Sequence, residues 1–143
     1  IAAAHLIRGG SARSAYERSL TWARKHADPL VTEWQELAND KERVQREIVF
    51  FPQAGWVKVG FTLAFLFLLE EDLPLLKCLE LTVRGGGDTD TNACIVGGLV
   101  GAHRGWSGVP EHARRSLLDC DTNKGRPRPT WMHPTVVDSL SFQ

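Results

Sequence analysis

Two aspartates, two threonines and an asparagine follow directly on three glycines in the run Arg84-Gly85-Gly86-Gly87-Asp88-Thr89-Asp90-Thr91-Asn92. The glycines let the backbone enter conformations closed to other residues, and the run leads into an apolar stretch of helix length, so the loop feeds oxygen donors into a helix N-terminus. Oxygen ligands suit a hard cation, magnesium or calcium before zinc. Two ionised carboxylates about 4 Å apart repel by roughly 4 kcal/mol at an effective dielectric near 20. A helix N-terminus returns only about 0.3–1 kcal/mol to each. If the two side chains converge, a cation belongs between them. Residues two apart do not share a helix face, so convergence requires Asp88 in the turn and Asp90 at the helix start, with the Thr91 hydroxyl reaching the same point. The alternative is that one aspartate caps the helix, the other sits in its first turn, and both face water.

Rival motifs fail on particular residues. A calcium-binding helix-loop-helix needs Gly at its sixth position and Glu at its twelfth, where this chain has Ala93 and Leu99. No Gly-Lys-Ser/Thr follows the glycines, and the dinucleotide pattern needs Gly where Asp90 stands. His5, His26, His103, His112 and His133 form no zinc pattern, and no Gly-x-Ser-x-Gly elbow is present. His103 and Arg104 lie at the far end of the motif helix, some 20 Å along at about 1.5 Å per residue, too far to touch the same ion.

The elements that position the motif read as helices throughout. Residues 1–7 look like the end of a helix closed by Gly9-Gly10, and Ser11 caps the next, in which Ala12, Ala15, Tyr16, Leu20 and Ala23 recur at helical spacing. Asp28-Pro29 is a stop and restart, and Asn39-Asp40 a further break. Phe50-Phe51-Pro52-Gln53-Ala54-Gly55 interrupts the pattern. Residues 56–69 are then apolar nearly all round, which puts that helix at the centre of the domain. Glu70-Glu71-Asp72 ends it and is expected to cap the next helix, which begins at Pro74 and stops at the glycines. Gly97, Gly98, Gly101 and Ala102 in the motif helix suggest close backbone packing against a neighbour, since each glycine costs up to about 1 kcal/mol relative to alanine. Val109-Pro110 opens a short helix through Leu118, a basic Gly/Pro-rich loop covers 119–134, and one last turn is expected over 135–140.

Composition narrows the classes further. With 143 residues, 43% of them hydrophobic, the chain can form one modest domain. Seventeen basic and seventeen acidic residues give zero net charge, which argues against nucleic acid or an anionic membrane as main partner. Cys78, Cys94 and Cys120 are odd in number and widely spaced, reading as reduced thiols of a cytoplasmic protein. The longest apolar stretch, 59–69, is well short of the ~20 residues that span a bilayer. The chain opens at Ile1 in what already reads as helix, the mark of a fragment of a longer protein.

Gly-Gly-Asp-Thr-Asp-Thr-Asn-Ala, the small-residue helix and His103-Arg104-Gly105 resemble the C-terminal metal motif of the ADP-ribosylglycohydrolase family. Gly55-Trp56-Val57 and Arg126-Pro127-Arg128-Pro129 resemble segments of its bacterial-type members, and the likeness extends over about 1–140. The resemblance implies an all-α chain, residues 1–143 forming the C-terminal part of a single orthogonal helical domain. It implies a complete enzyme that removes ADP-ribose from a protein side chain or related ADP-ribosyl conjugate with two magnesium ions, for which manganese can substitute. Asp88, Asp90 and Thr91 match the family's C-terminal ligands, Asp90 being the residue to bridge two ions and the catalytic candidate. Gly55 and Trp56 fall where the family binds ADP-ribose, an indole there being able to stack on adenine. The family's other ligand cluster, consecutive threonine and aspartates, and its early acidic residue have no counterpart here. The expectation is therefore half of a site, completed by an N-terminal half or a complementary chain and inactive alone. Two other readings keep the scaffold without the reaction: a structural, crystallin-like or binding relative, and an immunity module that blocks an ADP-ribosyltransferase by contact.

Overall fold

The computed structural model describes residues 1–52 and 54–139, with side chains to residue 136. Gln53 of the interrupting loop and Leu140 of the expected last turn lie outside the described residues. Every regular element among the described residues is helical, so the chain is all-α. It divides into two compact units, Ile1–Gly108 and Val109–Gln143. None of the described helices is long and apolar enough to cross a membrane.

The first unit is built on α1 (Ala2–Ile7), α2 (Ala12–His26), α3 (Pro29–Leu37), α4 (Lys41–Glu47), α5 (Val57–Leu69), α6 (Leu75–Gly85) and α7 (Thr89–Arg104). Three starts follow from local hydrogen bonding. Ser11 Oγ accepts from Ser14 N at 3.2 Å, Asp28 Oδ1 from Leu30 N at 2.9 Å, and Asp40 Oδ1 from Arg43 N at 3.0 Å. Each satisfies a first-turn N–H that the helix itself leaves without a partner. Pro29 occupies the first position of α3, where its missing N–H matters least.

The central helix is α5, as its unbroken apolar run implies: Leu63, Phe65, Leu66, Phe67 and Leu68 are all buried, Leu68 completely. Helices α2, α3, α4 and α7 pack around it. A line of edge-on aromatic contacts crosses this core, Tyr16 to Phe65 (6.0 Å between centroids), Phe65 to Phe61 (5.1 Å), Phe61 to Trp34 (6.4 Å) and Trp34 to Trp56 (5.8 Å). Such pairs contribute about 0.5–1.5 kcal/mol each beyond burial. They tie the N-cap of α5, Trp56, to helices α2 and α3.

Two packing expectations are corrected. The acidic turn does not cap α6, which starts from Pro74 without a side-chain cap. Glu70 instead pairs with Lys41 at 2.9 Å and Glu71 approaches His103 at 3.4 Å, while the Arg104 guanidinium donates to the carbonyls of Glu70, Glu71 and Leu73. The end of α7 thus holds the α5–α6 turn, and the carboxylates are drawn to cations rather than to N–H groups. The small residues of α7 are also not a uniform packing stripe. A Cβ on Gly97 would meet Leu79 at 3.4 Å, but Gly98 and Gly101 face open space. The close approach comes from the other side: a Cβ on Gly60 of α5 would fall 2.8 Å from Asn92 Oδ1 and 2.9 Å from Ile95 Cδ1.

In the second unit, α8 (Glu111–Leu118) follows Pro110 as expected and carries the pairs Glu111–Arg114 and Glu111–Arg115. The basic loop includes a 3-10 turn at Thr130–Met132, and another spans Pro134–Ser139. His133 Nε2 lies 3.1 Å from the Cys120 carbonyl and Nδ1 2.8 Å from Thr135 Oγ1, so this histidine joins the two ends of the loop.

Candidate metal centre

The site grows from the loop between α6 and α7. Gly86 and Gly87 both take positive φ, +83° and +69°, which side-chain-bearing residues rarely adopt. The loop is moulded against the segment before α5. The Phe50 ring lies so close over Gly85 that a Cβ there would sit 2.1 Å from its Cζ. A Cβ on Gly87 would fall 2.9 Å from the Phe50 carbonyl oxygen, and Asp88 N donates to Ala54 O at 3.2 Å. Two remote segments, residues 50–55 and 85–88, are therefore fixed on each other.

Asp88 is the N-cap of α7 by position, yet its side chain makes no capping bond. It hydrogen-bonds instead to Asp90, in the exposed first turn. That bond, then the backbone N–H groups of Thr91 and Asp90, hold the Asp90 carboxyl below its usual range. The two side chains therefore converge, with Asp88 at the turn and Asp90 at the helix start. Capping with both carboxylates splayed into water does not describe this loop. Two carboxyls hydrogen-bond only while one of them carries a proton. Once both ionise they repel unless a cation takes the proton's place.

Thr91 is in the same turn and exposed. Two carboxylates and a hydroxyl make an all-oxygen set that fits magnesium or manganese and fills about half of a six-ligand shell. Among the described residues, no group of three or more His, Cys, Asp or Glu side chains is gathered that could hold a metal.

Gly55 is brought to the pair: a Cβ on it would lie 3.9 Å from Asp88 Oδ2. Trp56 follows, 41% exposed, with the Lys58 ammonium 5.1 Å from its ring centroid. Trp34 and Trp56 wall a cavity of about 310 Å³, which Glu33, Arg43, Glu47 and Lys58 also line. His103 and Arg104 stand apart from the aspartates, at the other end of α7.

Sequence reasoning missed three residues of this neighbourhood. Asn92 is 3% exposed, and its Nδ2 has no hydrogen-bond partner. It lies four residues after Asp88 and so turns inward behind the carboxylates, toward Gly60, a placement that i, i+4 spacing signals. Gly60 and Phe50 carried no such signal, because each acts through a contact distant in sequence.

The model of the family described as ADP-ribosylglycohydrolase matches residues 1–138. No significant match was found among curated proteins or among solved structures. The all-helical architecture and the converging acids after a glycine loop define a helical protein with an oxygen-rich candidate cation site. The chain belongs to the ADP-ribosylglycohydrolase family, hydrolases at the level of the family.

Proposed function

We propose that this chain supplies part of the centre of a magnesium-dependent hydrolase that removes ADP-ribose from a modified protein side chain or a related ADP-ribosyl conjugate. The observation that carries the reading is the meeting of the Asp88 and Asp90 carboxyls at the exposed start of α7. Asp88, Asp90 and Thr91 would hold the ion, with Asp90 the residue shared between two. A bound magnesium or manganese ion supplies Lewis acidity, lowering the pKa of a coordinated water and fixing sugar hydroxyls.

The chain's own residues do the positioning. The Thr91 and Asp90 N–H groups orient the Asp90 carboxylate, and the glycine loop clamped under Phe50 fixes Asp88. Gly55 leaves bare backbone beside Asp88, room for a sugar to approach. Trp56 offers an indole on which adenine can stack, and Lys58 beside it brings a positive charge suited to a pyrophosphate. Three side-chain oxygens leave at least three positions of a hard ion's shell to water, substrate hydroxyls and a complementary segment or chain.

Manganese titration followed by electron paramagnetic resonance tests this reading. The 143 residues should bind Mn²⁺ weakly, lose that binding in Asp90→Asn, and release no ADP-ribose from modified substrates by themselves. Turnover by this chain alone would overturn the shared-site reading; Mn²⁺ binding indifferent to Asp90→Asn would overturn the ligand assignment.

A further inference from the structure

A second concave surface lies along the opposite part of α7. A cavity of about 510 Å³ opens among α2, α3, α5 and α7, walled by Trp22, Val31, Phe61, Phe65, Ile95 and Leu99, and no charged side chain lines it among the described residues. Trp22 stands 48% exposed at its edge. The same indole walls a neighbouring cavity of about 420 Å³, whose lining includes Arg18, Lys25 and His26 and no carboxylate. Neither Arg18 nor Lys25 takes part in an ion pair among the described residues. An apolar trough with one cationic flank results. Its α7 wall, Ile95 and Leu99, continues the i, i+4 row that begins at Thr91.

We infer that this trough is a docking surface for an acidic amphipathic helix. Apolar side chains at three- and four-residue spacing fill the cavity, as in other helix-in-groove complexes, and carboxylates on one side meet Arg18 and Lys25. The charge pattern selects the occupant. An apolar floor alone accepts any greasy segment, whereas a one-sided cationic rim favours an acidic helix and repels a basic one. A helix seated along the row ends near Thr91, where its carboxylates would add oxygens to the proposed metal centre. That last consequence rests on the proposed function; the docking does not.

Two synthetic helical peptides of about 15 residues, sharing one leucine face and differing in glutamate or lysine on the flank, provide the test. Binding to the whole chain is read by calorimetry and by Trp22 fluorescence. The glutamate peptide should bind at least tenfold tighter than the lysine peptide, and added salt should narrow the gap. Arg18→Glu with Lys25→Glu, both exposed and so harmless to folding, should reverse the preference; circular dichroism checks that the helices persist. Asp90→Asn should bind the glutamate peptide unchanged, which separates this surface from the metal reading. Equal binding of both peptides, no binding of either, or self-association of the chain that occupies the trough would each overturn the inference.

Discussion

Two polar clusters in the first unit are buried at similar depth and are finished differently. Between α2 and α3, the Tyr16 hydroxyl donates to Gln35 O at 3.1 Å, Gln35 Nε2 donates to Tyr16 O at 2.9 Å and to Ser19 Oγ at 2.6 Å, and Ser19 Oγ donates to Tyr16 O at 2.9 Å. Every polar atom named there has a partner. Between α5 and α7, Asn92 keeps a buried amide with none, and Asp88 and Asp90 press two acids together at the helix start. A closed network stabilises the fold, whereas an unfinished one at a family motif is organised for something that is not part of the chain.

The largest effect should come from filling the seam on its unfinished side. Gly60→Val drives a branched side chain against Asn92 and Ile95, and overpacking of this kind destabilises by about 1–3 kcal/mol. A drop in urea midpoint near the top of that range is expected; an unchanged midpoint would mean that α5 and α7 are not held at this distance. On the closed side, Gln35→Leu removes two hydrogen bonds and leaves Ser19 Oγ with one acceptor site empty in the core, for a loss of about 1–3 kcal/mol by thermal unfolding.

A smaller effect is alkaline. Burial first, then the Glu36 charge, raises the Tyr16 pKa above its ordinary value near 10.0. The folded state thus favours the neutral phenol. Its contribution is complete below the unfolded pKa and is lost as pH rises through the folded one. The wild-type chain should lose stability above about pH 10 more steeply than Tyr16→Phe, a difference readable by denaturant titration across that range. The smallest effect belongs to Asp90→Asn. In the absence of metal, the unfolding midpoint should hold or rise slightly, because one of two adjoining charges is gone. A large loss would move the acidic pair into the same structural class as the Tyr16 network.

Much of this fold is legible in the residues because it depends on near neighbours. The caps at Ser11, Asp28 and Asp40, the breaks they mark, and the central apolar helix all follow from spacing within one or two turns. The convergence of Asp88 and Asp90 was legible for the same reason, since a residue in the turn and one at the helix start are close however the chain folds. The misreadings were long-range. Glu70 and Glu71 have the composition of a cap, but Lys41 and His103 reach them from other helices. Gly98 and Gly101 look like a packing stripe, yet the glycine that matters is Gly60, alone in a helix of large residues. Phe50 reads as ordinary core until its ring is found closing over Gly85.

The central claim is that a divalent ion belongs between the paired acids after the glycine loop. Anomalous scattering from crystals soaked in manganese tests it most directly. The account predicts a single strong peak, or a close pair, within ligand distance of both Asp88 and Asp90, absent from Asp90→Asn crystals. Strong manganese sites elsewhere, with none between these two carboxylates, would contradict it.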